Sequence, residues 1–170
     1  MTVAIRAGVI TASTKGARGE RLDESGPAMR EMLEASGAEV VSSALVVDDV
    51  NAIASAIRGA IAKGANVVLT TGGTGLSPND VTPEATRKVI EREVPGIAEA
   101  IRARSLAKTP HGMISRGIAG SVGSTLVVNL PGSPRAVRES LEVLLPVLPH
   151  AVELLAGESG EGGHARGRRA

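Results

Sequence analysis

Residues 67–83 read VVLTTGGTGLSPNDVTP, and the fold class follows from them. Val67, Val68 and Leu69 form a short apolar run with no alternation, the pattern of a strand buried on both faces as in a parallel sheet. The run passes into Gly72-Gly73-Thr74-Gly75, then to Asp80, with a helix start signalled at Thr82-Pro83. Closely spaced glycines let backbone N–H groups turn outward and approach an anion. A carboxylate beside such a cradle needs a cation between itself and the anion. The combination points to a nucleotide or phosphorylated ligand with a divalent metal; the plainer reading is a tight strand-to-helix turn. A dinucleotide fingerprint would require glycine at Pro78, and a P-loop would require Gly-Lys-Ser/Thr, so neither motif applies.

Outward from this stretch, apolar strands alternate with amphipathic helices. That alternation predicts an α/β fold, a mostly parallel sheet covered by helices. The first strand is expected near Ala4–Thr11, followed by a polar loop from Ser13 to Asp23. Ser25 is placed to cap a helix with Pro27 in its first turn, Met29, Met32 and Leu33 on one face, and Gly37 as its stop. A second strand, about Glu39–Val47, ends at Asp48-Asp49. The next helix directs Ile53, Ile57, Ala60 and Ile61 inward and stops at Gly64. Thr82 is expected to cap a helix reaching Glu93, and Pro95-Gly96 starts another reaching Leu106. Strands at Gly117–Gly120 and Ser124–Leu130 turn at Gly123. Pro131-Gly132-Ser133-Pro134 opens a helix through Leu145, and a last helix from Pro149 ends at Gly157. Residues 1–157 make the expected domain, and 158–170, rich in Gly and Arg, a disordered tail.

A chain of 170 residues suits one domain, and 19 basic against 18 acidic residues leave a net charge of +1. Cysteine is absent, which excludes disulfides and Cys-type zinc or redox sites. No run is long and apolar enough for a membrane span, and the first residues lack a signal-peptide pattern, so a cytoplasmic protein without a membrane role is expected. Phe, Trp and Tyr are all missing. Val, Ile, Leu, Met and Ala must fill the core, and stacking platforms for single-stranded nucleic acid cannot be built. Nucleic acid is therefore not the expected partner.

Ligands of open parallel sheets bind outside the carboxyl ends of the strands. Four loops qualify: Ser13–Gly19, Asp48-Asp49, Gly72–Asp80 and Pro131–Pro134. Asp48 could face Asp80 across the cleft, two carboxylates placed to hold magnesium together with phosphate oxygens. Either Asp48 or Asp49 could instead cap the helix before Val50, and Asp80 could be a turn residue. Pro131-Gly132-Ser133 could present N–H groups and a hydroxyl to a second anion, or simply turn from strand to helix. His111 and His150 have no partner at metal-ligand spacing. No Gly-x-Ser-x-Gly elbow supports a hydrolase triad.

TTGGTGLSPNDVTPEAT, followed by VPGIAEAIR, SRGIAGSVGSTLVVNLPGSP and LLPVLPHAVELL, resembles the molybdopterin adenylyltransferases of molybdenum cofactor synthesis. The resemblance covers Ile5 to about Gly157 and includes the opening GVITASTKGARGERLDESGP. It implies a three-layer α/β/α sandwich, commonly a homotrimer, and transfer of adenylate from Mg-ATP to molybdopterin with release of pyrophosphate. It implies that Asp48 and Asp80 are the catalytic, magnesium-holding pair, and that Gly72, Gly73, Thr74 and Gly75 bind nucleotide phosphates. Ser13, Ser105, Ser115, Pro131, Gly132 and Ser133 fall where molybdopterin is bound. A molybdenum insertase is the implied downstream partner.

Two positions depart from the family pattern. Asn79 stands where Arg is frequent, and Thr14 where many members have Asp. Lys15, Arg18 or Arg116 are the candidates to replace the missing cation. The alternatives are a molybdopterin carrier that cannot transfer adenylate and a nucleotide pyrophosphatase.

Overall fold

The computed structural model describes residues 3–157. The expected tail, 158–170, lies outside them. Six strands form one sheet in the order β2-β1-β3-β6-β5-β4. β1 (Arg6–Ala12), β2 (Glu39–Val46), β3 (Val67–Thr71) and β6 (Thr125–Leu130) are mutually parallel; β5 (Ala119–Val122) and β4 (Arg92–Glu93) form the antiparallel edge. The chain moves from β1 outward to β2, then returns to place β3 on the other side of β1. A crevice opens at such a reversal, between loops leaving in opposite directions.

Helices cover both faces, as a sheet with buried parallel strands requires. Alternate residues of each strand feed the two cores. Val9, Val67, Leu69 and Val128 pack with Met29 and Leu33 of α2 (Ser25–Ala35), Ile101 of α5 (Pro95–Leu106), Leu141 of α6 (Pro134–Leu144) and Val152 of α7 (Leu148–Ala156). Ile10, Val68 and Val127 pack on the opposite face with Ile53 and Ile57 of α3 (Val50–Ala62) and Ala85 of α4 (Thr82–Arg87). The result is the expected three-layer sandwich, held by aliphatic side chains that each contribute about 1.5–3 kcal/mol when fully buried. Gly8 lets α3 approach closely: a Cβ there would lie 2.6 Å from that of Ala60.

Several local expectations are corrected. The loop after β1 contains a short helix, α1 (Thr14–Ala17). Ser25 does not cap α2; its hydroxyl donates to the Gly132 carbonyl at 2.7 Å, and Asp23 accepts from Gly26 N instead. Thr82 likewise supplies no side-chain cap, because its hydroxyl donates to Gly72 O at 2.9 Å. α4 stops at Arg87 rather than Glu93, and Arg92–Glu93 pair with Gly120 and Ser121 as β4. A 3-10 turn at Pro110–Ile114 follows α5. For Ser25, Thr82 and Arg92–Glu93 a tertiary partner claims a group that local pattern assigns elsewhere.

Candidate active site

The loops after β1, β2, β3 and β6 gather at the carboxyl ends of the parallel strands, and the residues in them sort by their hydrogen bonds. At the end of β2, Asp49 caps α3 by accepting from Ala52 N at 2.8 Å. Asp48 is thereby left for the cleft. Its Oδ2 accepts from both Thr14 N and Thr14 Oγ1, each at 2.8 Å, while the Thr14 hydroxyl accepts from Asp48 N at 3.0 Å. This reciprocal clamp fixes the carboxylate and leaves Oδ1 without a hydrogen bond among the described residues. Asp80 repeats the arrangement: Oδ2 accepts from Ser77 N at 2.9 Å, closing the turn, and Oδ1 has no partner among the described residues.

Gly72 and Gly73 adopt positive φ, +87° and +66°, where side chains are rarely accommodated. Space forbids them as well. A Cβ on Gly72 would meet Ala12 O at 2.3 Å, and one on Gly73 would meet Thr82 Oγ1 at the same distance. The backbone of the second loop comes close to the first, with Gly72 Cα 3.4 Å from the place a Cβ on Gly132 would take. Two hydroxyls set that loop: Thr71 donates to Pro131 O at 2.6 Å and Ser25 to Gly132 O. Ser133 accepts from Ala136 N at 3.1 Å and caps α6. Ser13 does the same for α1, accepting from Gly16 N at 3.0 Å.

Arg116 ties the Asp80 loop together. Its Nε donates to Gly75 O at 2.7 Å, Nη2 to Asp80 O and Nη1 to the Glu84 carboxylate, both at 2.5 Å; its backbone N donates to Thr74 O at 2.8 Å. The hydrogen bond from Arg116, aided by its charge, outweighs partial burial and holds the Glu84 carboxyl below its ordinary range. An arginine so engaged is a brace for the loop. It is not available to a triphosphate.

Three adjoining cavities run along this edge. The central cleft, about 580 Å³, is lined by Ser13, Asp48, Gly72, Gly73, Asp80, Gly132 and Ser133, with Arg21, Asp23 and Ser25 also on its wall. At the Asp80 end a smaller cavity of about 290 Å³ takes in Thr74, Gly75, His111 and Ser115 and shares Gly73, Asp80 and Gly132 with the cleft. At the Asp48 end a cavity of about 540 Å³ contains Thr14, Lys15, Arg18, Glu20 and Asn79 and shares Ser13, Arg21 and Asp48. Asp48 and Asp80 thus border one cleft, each at the opening to a further cavity. Ser105 is not brought to it. It lies half-buried in α5 against Gly112 of the 3-10 turn, and Pro131 contributes its carbonyl to Thr71. Among the described residues no group of three or more His, Cys, Asp or Glu is placed to hold a metal. Sequence reading missed Thr14 as the clamp on Asp48 and missed Arg21, Asp23 and Ser25 as lining. Their only signal is the density of polar residues in 13–25.

Comparison with known proteins identifies the family. Residues 8–150 match a family model described as a probable molybdopterin binding domain. The chain is 38% identical over 160 residues to a molybdopterin adenylyltransferase of Helicobacter pylori, covering 90% of this chain and 89% of that one. It is 39% identical to the molybdenum cofactor synthesis protein cinnamon of Drosophila melanogaster over 89% of its own length but only 26% of that protein. The chain spans between 22% and 47% of cinnamon and two other long relatives. The crystal structure of the molybdopterin biosynthesis enzyme MoaB from Thermus thermophilus superimposes with a TM-score of 0.84 at 51% identity, covering 90% of this chain and 97% of that one. The chain belongs to the molybdopterin-binding domain family of molybdenum cofactor biosynthesis.

Proposed function

We propose that this chain transfers the adenylyl group of ATP to the terminal phosphate of molybdopterin and releases pyrophosphate. The observation that carries the reading is the placement of Asp48 and Asp80 on one cleft beside the glycine backbone of Gly72, Gly73 and Gly132. Magnesium fits this donor set. Each carboxylate keeps Oδ1 clear of hydrogen bonds among the described residues, and two protein carboxylates with phosphate oxygens are an ordinary magnesium shell. When bound, the ion would neutralise charge developing on the departing phosphate. The protein residues supply position: glycine N–H groups face the phosphates, and Ser115 with the Pro131–Ser133 loop receives molybdopterin. Phosphoryl-type transfer depends chiefly on such alignment and charge neutralisation, so no strong base is required.

Incubation of the protein with molybdopterin and Mg-ATP should give adenylylated molybdopterin and pyrophosphate in equal amounts. No product from either substrate would leave a carrier; pyrophosphate formed without molybdopterin would indicate a nucleotide pyrophosphatase. A homotrimer goes with the same reading, supported by Leu106, Met113 and Ile114, large apolar residues exposed on the abutting α5 and 3-10 turn. Delivery of the product to a molybdenum insertase is supported by relatives in which the matched region is part of a longer chain. No helix among the described residues is long and apolar enough to cross a membrane. A cytoplasmic site of action belongs to the same functional reading, and cell fractionation checks it.

A further inference from the structure

Lys15, Arg18 and Arg21 stand out among the described cations because they are unbonded and gathered on one loop around one cavity. Among the described residues none of the three makes an ion pair or side-chain hydrogen bond, whereas every other described arginine except Arg92 engages a carboxylate or a backbone carbonyl. Their segment is nonetheless well tied. Ser13 N donates to Val46 O at 2.9 Å, Ala17 N to Ser13 O at 2.8 Å and Glu20 N to Lys15 O at 2.8 Å, and Gly19 turns the chain at φ +74°. Thr14, inside the same loop, is clamped to Asp48. A fixed backbone therefore presents three uncompensated cations around one cavity, opposed there only by Glu20 and Asp48.

The order of the cavities adds direction. Displacement at phosphorus needs the attacking and leaving oxygens roughly in line, on opposite sides of the atom attacked. Here Ser115 lines the cavity that adjoins the cleft at Asp80, and the three cations line the one that adjoins it at Asp48, Arg21 reaching into the cleft as well. We propose that Lys15, Arg18 and Arg21 form the subsite for the β- and γ-phosphates of the nucleotide, so that pyrophosphate leaves over this loop and away from Ser115. The assignment rests on the adenylyl-transfer reading. A bond forms from the terminal phosphate oxygen of molybdopterin to the α-phosphorus. The bond from that phosphorus to the bridging oxygen breaks, and its electron pair departs with the pyrophosphate. Negative charge grows on the leaving group, and arginine and lysine are suited to receive it. Position 79, the other side chain facing this cavity from the glycine loop, is an asparagine and brings no charge.

The test compares two triple variants with the same change in net charge. One is K15A/R18A/R21A; the other is K63A/R92A/K108A, three exposed cations that line none of these cavities. Binding of inorganic tripolyphosphate in magnesium chloride is measured by calorimetry, and adenylyl transfer is followed in parallel. The loop variant should lose roughly tenfold or more in tripolyphosphate affinity, the scale of one or more charge-assisted contacts. Its kcat/KM for ATP should fall in step, while molybdopterin binding shifts less than about twofold on the same scale. The control variant should match the wild type. Unchanged tripolyphosphate affinity in the loop variant, or an equal loss in the control, overturns the assignment. So does a parallel loss of molybdopterin binding. If wild type binds tripolyphosphate through the loop yet forms no adenylylated product, the subsite stands and the adenylyl-transfer reading fails.

Discussion

Replacing Arg116 by methionine removes a charge while keeping much of the side-chain length, and its consequences can be worked from four contacts. The guanidinium bonds to Gly75 O, Asp80 O and the Glu84 carboxylate are lost; the backbone bond to Thr74 O remains. Hydrogen bonds to charged groups contribute about 1.5–3 kcal/mol each when water is excluded. The Arg116 and Glu84 side chains are 34% and 42% exposed, so water would take over part of each lost contact and the pair itself counts for less. A net loss of about 2 kcal/mol is expected, read as a lower midpoint of urea unfolding at unchanged slope. Acid should shrink it. Glu84 has its carboxyl pKa lowered in the folded protein by the hydrogen bond from Arg116, so its contribution is complete above the ordinary value of 4.5 and disappears as pH falls through the lower folded value. The wild-type advantage should therefore narrow below pH 4.5. Transfer should suffer more than stability, because both ends of the loop carrying Asp80 are released. An unfolding midpoint within about 0.5 kcal/mol of wild type, with transfer unchanged, would refute the brace.

Asp80→Asn keeps the shape and the bond from Ser77 N but removes the charge facing the cleft. Adenylyl transfer should fall by two or more orders of magnitude on the scale of about 1.4 kcal/mol per tenfold, with molybdopterin binding little altered; near-wild-type transfer would remove Asp80 from the mechanism. Light scattering over a broad concentration range should give the mass of three chains, and a monomer mass throughout would contradict the trimer.

The sheet was legible because its signal is local. A short unbroken apolar run such as Val67–Leu69, closed by glycines, suits a strand covered on both sides, and Pro83, Pro95 and Pro134 mark helix starts that the structure confirms. The failures share a different cause. Ser25 and Thr82 have the right chemistry for caps, yet their hydroxyls hold Gly132 and Gly72 carbonyls, partners 107 and 10 residues away. α4 ends early because β5 offers a pairing edge to Arg92–Glu93, which no window around residue 92 reveals. The aspartates show the boundary sharply. Sequence alone leaves Asp48 and Asp49 equally able to cap α3; the start of α3 at Val50 gives the cap to Asp49, and Thr14 holds Asp48 at the cleft.

The two departures from the family pattern have different structural consequences. At position 14 the hydroxyl both donates to the Asp48 carboxylate and accepts from the Asp48 N–H. An ionised aspartate there could accept but could not donate, and it would set a second negative charge beside the first. Threonine consequently fixes the Asp48 carboxylate in place, which suits the role proposed for it. At position 79 the asparagine leaves the Asp48-end cavity without a cation from the glycine loop. Arg116 cannot make up the difference, since its three donor nitrogens are already bonded to the Asp80 loop and Glu84. Lys15, Arg18 and Arg21 are the cations that line that cavity and are unbonded among the described residues, as the proposed phosphate subsite requires. On the proposed reading, the loop that clamps Asp48 through Thr14 is also the loop whose cations line the cavity that asparagine at position 79 leaves uncharged.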